Sequence, residues 1–86
     1  MNAHWRMQLA SDVVRDGLGL ELLDESGVVV AEVFRCDADH TVTIRIFFES
    51  VSDAAVDELV EHARVRLEPF EDGRPLPVRF SIERTV

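Results

Sequence analysis

The sequence contains no lysine, no tyrosine, one cysteine and one tryptophan among its 86 residues. The lone cysteine, Cys36, excludes an intramolecular disulfide and a cysteine-rich zinc site, and is typical of a reducing compartment. No apolar run approaches the roughly 20 residues that a membrane helix needs. No apolar segment follows Arg6 as it would in a signal peptide. These absences favour a soluble, cytoplasmic protein.

Basic residues are also scarce, because nine arginines stand against 17 acidic residues and the formal net charge is −8. An acidic surface repels a phosphate backbone, and arginines scattered from Arg6 to Arg84 form no basic stripe, so direct nucleic-acid binding is disfavoured. Two explanations of the charge remain open. It either keeps a small domain soluble, or complements a basic partner.

The length fits a single domain, 1–86, with one small core. Apolar residues make up 47% of the chain and charged residues 30%, which is typical of a folded globular protein. The conformation of the N-terminal segment, 1–15, stays open. Trp5, Met7 and Leu9 alternate as in a strand over 6–10, but Trp5, Leu9 and Val13 also have helical spacing.

Three segments in the first half of the chain predict an antiparallel meander, at about 18–23, 28–35 and 41–48. The segment 78–84 is either a fourth strand or an extended arm. The predicted register pairs Leu22 with Val29, Leu20 with Ala31, Val33 with Ile44, and Ala31 with Ile46. It also places Glu32 opposite Arg45, as a cross-strand charge pair.

A helix is predicted over about 53–67. Five apolar residues recur there at the spacing of one helical face: Val56, Leu59, Val60, Ala63 and Leu67. Either Ser50 or Ser52 could cap its N-terminus, and Pro69 ends it. One amphipathic helix on an antiparallel sheet is a two-layer α+β fold.

The sheet face away from this helix is too apolar to be freely solvated. Strand alternation places five apolar residues on it: Leu23, Val28, Val30, Phe34 and Phe47. A second copy of the chain is the expected cover, since symmetric dimers are common. In the alternative, the same chain covers the face with Trp5, Met7 and Leu9 or with Val78, Phe80 and Ile82.

No motif in the sequence predicts catalysis, a cofactor or a small-molecule ligand. The only plausible metal-ligand set is Cys36, Asp37, Asp39, His40, His4 and His62, which matches no zinc spacing. Carboxylates flanking Cys36 disfavour its thiolate form, so we interpret this cysteine as structural. The segment 16–19 lacks the third glycine of a dinucleotide-binding turn and indicates a tight turn or a close backbone approach.

Three segments carry a resemblance: Asp16-Gly17-Leu18-Gly19-Leu20-Glu21-Leu22, Val30-Ala31-Glu32-Val33-Phe34-Arg35, and Ala63-Arg64-Val65-Arg66-Leu67-Glu68-Pro69-Phe70. The stretch from about 16 to 70 resembles small uncharacterised bacterial proteins. The resemblance implies a bacterial origin and one compact domain, and supplies no catalytic residue. The abundance of arginine, valine and alanine beside the missing lysine also suits a GC-rich genome.

We therefore expect a non-enzymatic protein-interaction module that self-associates through the outer sheet face. Its partner is itself, as a homodimer, or another protein, with no nucleic acid and no membrane. The alternative is an acidic inhibitor or immunity-type protein that binds a basic partner. In that case the binding surface would be the acidic start of the helix, with Asp53, Asp57, Glu58 and Glu61.

Overall fold

The computed structural model describes residues 5–85, which form one five-stranded sheet and one helix. In chain order the elements are β1 (Arg6–Asp12), β2 (Gly17–Leu23), β3 (Val29–Cys36), β4 (Thr41–Ile46), α1 (Asp53–Arg66) and β5 (Ser81–Arg84). The sheet order follows the chain order. The predicted α+β class is confirmed. Within residues 5–85, no helix has the length and apolar character needed to cross a membrane.

Within the N-terminal segment, residues 6–12 adopt the strand alternative, since they form β1 and pair antiparallel with β2; residues 1–4 lie outside the described residues. At the other end of the chain β5 joins the sheet, but runs parallel to β4. A parallel neighbour requires a crossover connection, and α1 lies in that connection. The meander therefore has four antiparallel strands, and the C-terminal strand is added beside them through the helix.

Aspartate side chains close the three hairpins between β1 and β4. Asp12 accepts hydrogen bonds from the backbone N–H groups of Val14 and Arg15, Asp24 from those of Ser26 and Val28, and Asp39 from that of Thr41. Such bonds from a short polar side chain to the following backbone stabilise tight turns. Gly27 has a φ of 85°, a left-handed value that glycine adopts without steric cost.

The predicted register is confirmed between β3 and β4 and wrong between β2 and β3. Val33 lies opposite Ile44, and Glu32 opposite Arg45. Between β2 and β3, however, the partners are Leu20 with Val33, Leu22 with Ala31, and Leu23 with Val29. The loop extends to Val28, and a bulge leaves Val30 without a partner residue in β2. The shift of two residues preserves the predicted faces of Leu20 and Leu22.

The helix α1 confirms the predicted segment within one residue. Ser52 is the N-cap, because its side chain accepts the N–H of Ala55 at 3.1 Å. Ala55, Leu59 and Ala63 are buried, and Val56 and Val60 pack at the margin of the same core. Leu20, Leu22, Ala31, Val33, Val42, Ile44 and Ile46 supply the buried inner face of the sheet.

Arg35 joins the sheet to the end of α1. Its Nη1 donates to the carbonyl oxygens of Leu67 at 2.9 Å and Pro69 at 2.8 Å, and its Nη2 donates to Asp37 at 3.0 Å. A cation at a helix C-terminus interacts favourably with the carbonyl groups that have no partner within the helix. This contact fixes the loop after α1 against the turn between β3 and β4.

Candidate functional site

The ring of Phe34 covers the outer face of the sheet over β2, on the side away from α1. It lies against two glycines, because a Cβ at Gly17 would be 2.6 Å from Cζ of Phe34, and one at Gly19 would be 3.4 Å from its Cδ1. Only 5% of Phe34 is exposed. The glycines between Asp16 and Leu20 therefore provide a close approach between neighbouring strands.

Arg15, in the turn between β1 and β2, covers this ring from the solvent side. Its guanidinium carbon lies 3.9 Å from the ring centroid. Nη1 and Nη2 donate to the two carboxylate oxygens of Glu32, each at 2.9 Å, and Nε donates to Asp12 at 2.6 Å. We call Asp12, Arg15, Glu32 and Phe34 the Arg15 cluster. It covers the Phe34 part of the face that the sequence assigned to a partner or to either end of the chain.

The charges within the Arg15 cluster depend on one another. Glu32 is 4% exposed, and a buried carboxylate is stable only when it is paired and hydrogen-bonded. The hydrogen bond to Glu32 raises the pKa of Arg15, and the hydrogen bond from Arg15 lowers the pKa of Asp12.

The sequence predicted Arg45 as the charge partner of Glu32. Arg45 donates instead to Glu83 of β5, at 3.0 Å.

Three of the five apolar residues predicted at an interface are buried within the chain. Leu23 is 6% exposed, and Val30 and Phe34 are 5% exposed. Val30 belongs to the main core cluster, since the bulge interrupts the alternation on which its assignment to the outer face depended. Val28 is 44% exposed and Phe47 is half-buried. Of the five, only Val28 and Phe47 keep substantial apolar area accessible to a partner.

The acidic residues predicted for a basic partner lie along α1, where Asp53, Asp57 and Glu61 follow one another at four-residue spacing on one side of the helix. Asp53, Asp57 and Glu61 are exposed, whereas Glu58 is half-buried. Asp53 lies 3.6 Å from Nη2 of Arg84, at the end of β5. Asp53 is the one acidic residue in the first turn of α1, a position that the helix dipole favours.

Three connections meet at one end of the sheet and enclose a cleft of about 310 Å³. It is lined by Asp16, Asp37, His40, Glu71 and Asp72. The carboxylate of Asp37 accepts the backbone N–H of Glu71 at 2.8 Å and the Nη2 of Arg35 at 3.0 Å. These bonds hold the loop after α1 on the turn between β3 and β4.

His40 and Asp72 form the other contact across this cleft. Nε2 of His40 lies 2.7 Å from a carboxylate oxygen of Asp72, and the His40 ring packs edge-on against Phe70. Hydrogen bonds from the backbone N–H of Arg74 and from His40 lower the pKa of Asp72. Because these groups are paired with one another, we interpret the cleft as a structural junction.

The remaining candidate metal ligands do not come together. Cys36 places its Sγ 3.4 Å from the carbonyl oxygen of Arg15, and His62 is exposed on α1. Within residues 5–85, no three His, Cys, Asp or Glu side chains are grouped so that they could hold a metal ion. His4 lies outside the described residues. The structural role of Cys36 stays a prediction, and its contact is with the β1–β2 turn.

A shallow hollow of about 350 Å³ lies on the outer face between Arg15 and Arg45. Two arginines would suit an anion. Both guanidinium groups are already paired, however, Arg15 with Glu32 and Asp12, and Arg45 with Glu83. The hollow therefore offers no cation free to bind a ligand.

The edge strand β1 offers a different kind of surface. Within the described part of the chain it pairs with β2 alone, so its other edge carries unpaired backbone N–H and C=O groups. Leu9, at its centre, is 42% exposed and lies on the same face as Leu20. Sequence analysis missed this edge, because the order of strands in a sheet depends on contacts between distant parts of the chain.

We compared the chain with family models, curated proteins and solved structures, and found no match in any of the three.

Proposed function

We propose that this protein is a non-catalytic interaction module that self-associates through the open edge of β1. The seven-residue edge strand carries the proposal. Natural proteins usually block sheet edges with short strands, lysine, proline or bulges, because an open edge pairs with further strands. Residues 6–12 contain no lysine and no proline, and β1 pairs with β2 without a register shift.

The opposite edge of the sheet has the protection that β1 lacks. β5 has only four residues, of which Glu83 and Arg84 are charged, whereas β1 has seven residues and carries its charges, Arg6 and Asp12, at its two ends. Short, charged edge strands disfavour pairing with another chain. The two edges of one sheet thus differ in the features that control association, and β1 is the edge suited to a partner strand.

Leu9 adds apolar area at this edge. It is exposed beside Met7, which packs partly against the core. A partner strand would cover Leu9 and satisfy the unpaired backbone groups. Each backbone hydrogen bond contributes about 0.5–1.5 kcal/mol, and burial of a large apolar side chain contributes about 1.5–3 kcal/mol.

Sedimentation equilibrium over low to high micromolar concentrations tests the proposal. We expect the unmodified chain to reach twice its monomer mass of 9.7 kDa. Leu9→Lys places a charge on the β1 edge and should leave the protein monomeric. Ile82→Lys is the matched control, since Ile82 is 62% exposed on the opposite edge strand and faces the same side of the sheet. It should remain dimeric.

A chain that stays monomeric at every concentration would contradict self-association. A dimer that persists in Leu9→Lys would contradict the role of β1. Phe47→Asp distinguishes the outer sheet face from the β1 edge, because Phe47 is half-buried on the far side of the sheet. Loss of the dimer in Phe47→Asp alone would assign the contact to that face and overturn the proposal.

A further inference from the structure

The sequence of β1 is itself matched to antiparallel pairing with a second copy. The strand begins with Arg6, ends with Asp12 and has Leu9 at its centre. We infer that two copies pair their β1 strands about a two-fold axis through Leu9, so that the two five-stranded sheets form one continuous sheet. The inference rests on the proposed self-association and specifies its register.

Symmetry restricts the register of such a pair. Residues directly opposite each other on antiparallel strands share a face. A two-fold axis that keeps both helices on one side of the sheet must therefore place one residue of β1 opposite the same residue of the second copy. An axis at Leu9 pairs all seven residues of β1. An axis at Gln8 or at Ala10 pairs only the five residues that remain in overlap, and leaves Asp12 or Arg6 unmatched.

The Leu9 register places opposite charges at both ends of the ladder. Arg6 faces Asp12 of the second copy, and Asp12 faces Arg6 of the second copy. Both residues lie on the outer face, opposite Leu23 and Gly17 of β2. Opposite charges directly across a strand pair are stabilising, and like charges there are destabilising.

Asp12 retains the capacity to accept this additional donor. One of its oxygens accepts the N–H groups of Val14 and Arg15, and the other accepts Nε of Arg15. A carboxylate has about four acceptor positions. One position therefore remains for a guanidinium N–H of Arg6 from the second copy.

The interior pairs also combine without a clash of charge. Leu9 faces Leu9 on the helix side, Met7 faces Ser11, and Gln8 faces Ala10, so a large side chain lies opposite a small one in both mixed pairs.

Each chain carries a net charge of −8, which opposes association in general. At physiological ionic strength, however, exposed charges more than about 8 Å apart are largely screened, and the contacts along β1 decide the outcome.

Disulfide cross-linking tests this register in a Cys36→Ser background. Leu9→Cys places two cysteines opposite each other on the axis, with Cα atoms about 4.5–5.5 Å apart, within the range of a disulfide. Gln8→Cys alone and Ala10→Cys alone place their cysteines diagonally, about 7–8 Å apart, at or beyond that range. An equimolar mixture of these two variants brings Gln8→Cys opposite Ala10→Cys.

We expect Leu9→Cys to form a covalent dimer about tenfold faster than either diagonal variant alone, because the disulfide geometry is specific. The mixture should form predominantly the mixed Gln8→Cys and Ala10→Cys disulfide. Circular dichroism and sedimentation before oxidation establish that each variant is folded and dimeric. A dimer in which Gln8→Cys or Ala10→Cys alone cross-links fastest would overturn the register while leaving self-association intact. A monomer would overturn both.

The charge match is tested separately with Arg6→Glu, which places like charges at both ends of the ladder. Arg79→Glu is the matched control, because Arg79 is exposed outside β1 and the change in net charge is identical. We expect Arg6→Glu to raise the dimer Kd about tenfold relative to Arg79→Glu at low salt. Equal Kd values for the two variants would refute the pairing of Arg6 with Asp12.

Discussion

At the scale of single residues, Arg15 determines the stability of the outer face. It pairs through two nitrogens with the buried carboxylate of Glu32 and stacks on Phe34. Arg15→Ala would leave Glu32 buried without a counterion. We expect the free energy of unfolding to fall by about 2–3 kcal/mol, below the ~3–5 kcal/mol of a fully buried pair, because the Arg15 side chain is 34% exposed. Urea unfolding at one protein concentration measures the loss.

The matched control is Arg45→Ala, which removes an exposed pair with Glu83 from the same face. It should cost less than about 1 kcal/mol. The double variant Arg15→Leu with Glu32→Leu should recover much of the stability, since apolar residues can replace a buried ion pair. Equal losses for Arg15→Ala and Arg45→Ala would show that Arg15 does not support a buried charge.

At the scale of secondary structure, the start of α1 depends on one side chain. The sequence left Ser50 and Ser52 as alternatives, and the structure assigns the cap to Ser52, whose Oγ accepts the N–H of Ala55. Ser52→Ala should lower the free energy of unfolding by about 1 kcal/mol. Ser50→Ala, two residues earlier and exposed, should change it by less than about 0.5 kcal/mol. Thermal unfolding of both variants measures the difference, and the reverse order would assign the cap to Ser50.

Periodicity predicted the three strands in the first half of the chain and the faces of most of their residues, with Val30 as an exception, but not every pairing. Alternation of apolar residues is local, so the inner face that includes Leu20 and Leu22 could be identified from sequence. The register between β2 and β3 depends on the loop that Asp24 closes and on the bulge at Val30. Both features arise from hydrogen bonds rather than from apolar spacing. A register shift of two residues leaves each side chain on the same face of the sheet. The distribution of apolar residues between the two faces therefore could not reveal the shift.

At the scale of the whole molecule, the two candidate surfaces, the outer sheet face and the β1 edge, were the features hardest to predict from the sequence. The excess of apolar residues on the outer face was visible in the sequence. The residue that covers Phe34 was not, because Arg15 lies in a turn and contacts Glu32 from 17 positions away. The open edge of β1 likewise depends on the complete strand order, in which β5 returns beside β4. Local patterns identify elements, whereas exposed edges result from their assembly.

The dependence of stability on pH also belongs to the whole molecule, because aspartates with lowered pKa values lie in, or directly before, four different connections. Hydrogen bonds stabilise the charged forms of Asp12, Asp24, Asp39 and Asp72 in the folded protein. The unfolded chain, with an ordinary aspartate pKa of 3.8, takes up these protons first as the pH falls. The stabilisation is therefore complete above about pH 5 and is lost as the pH falls through 3.8 towards the lowered pKa values.

Urea unfolding between pH 7 and pH 2.5 should show this loss, at one protein concentration because self-association would change the apparent stability. The loss should persist in 1 M salt, where the screening length is about 3 Å. Salt screens the short hydrogen bonds within turns less than it screens the repulsion between distant exposed charges. Asp12→Asn should be less stable at neutral pH and should lose less on acidification. Equal unfolding free energies at pH 5 and pH 2.5 would show that the turn aspartates do not hold the fold through their charged forms.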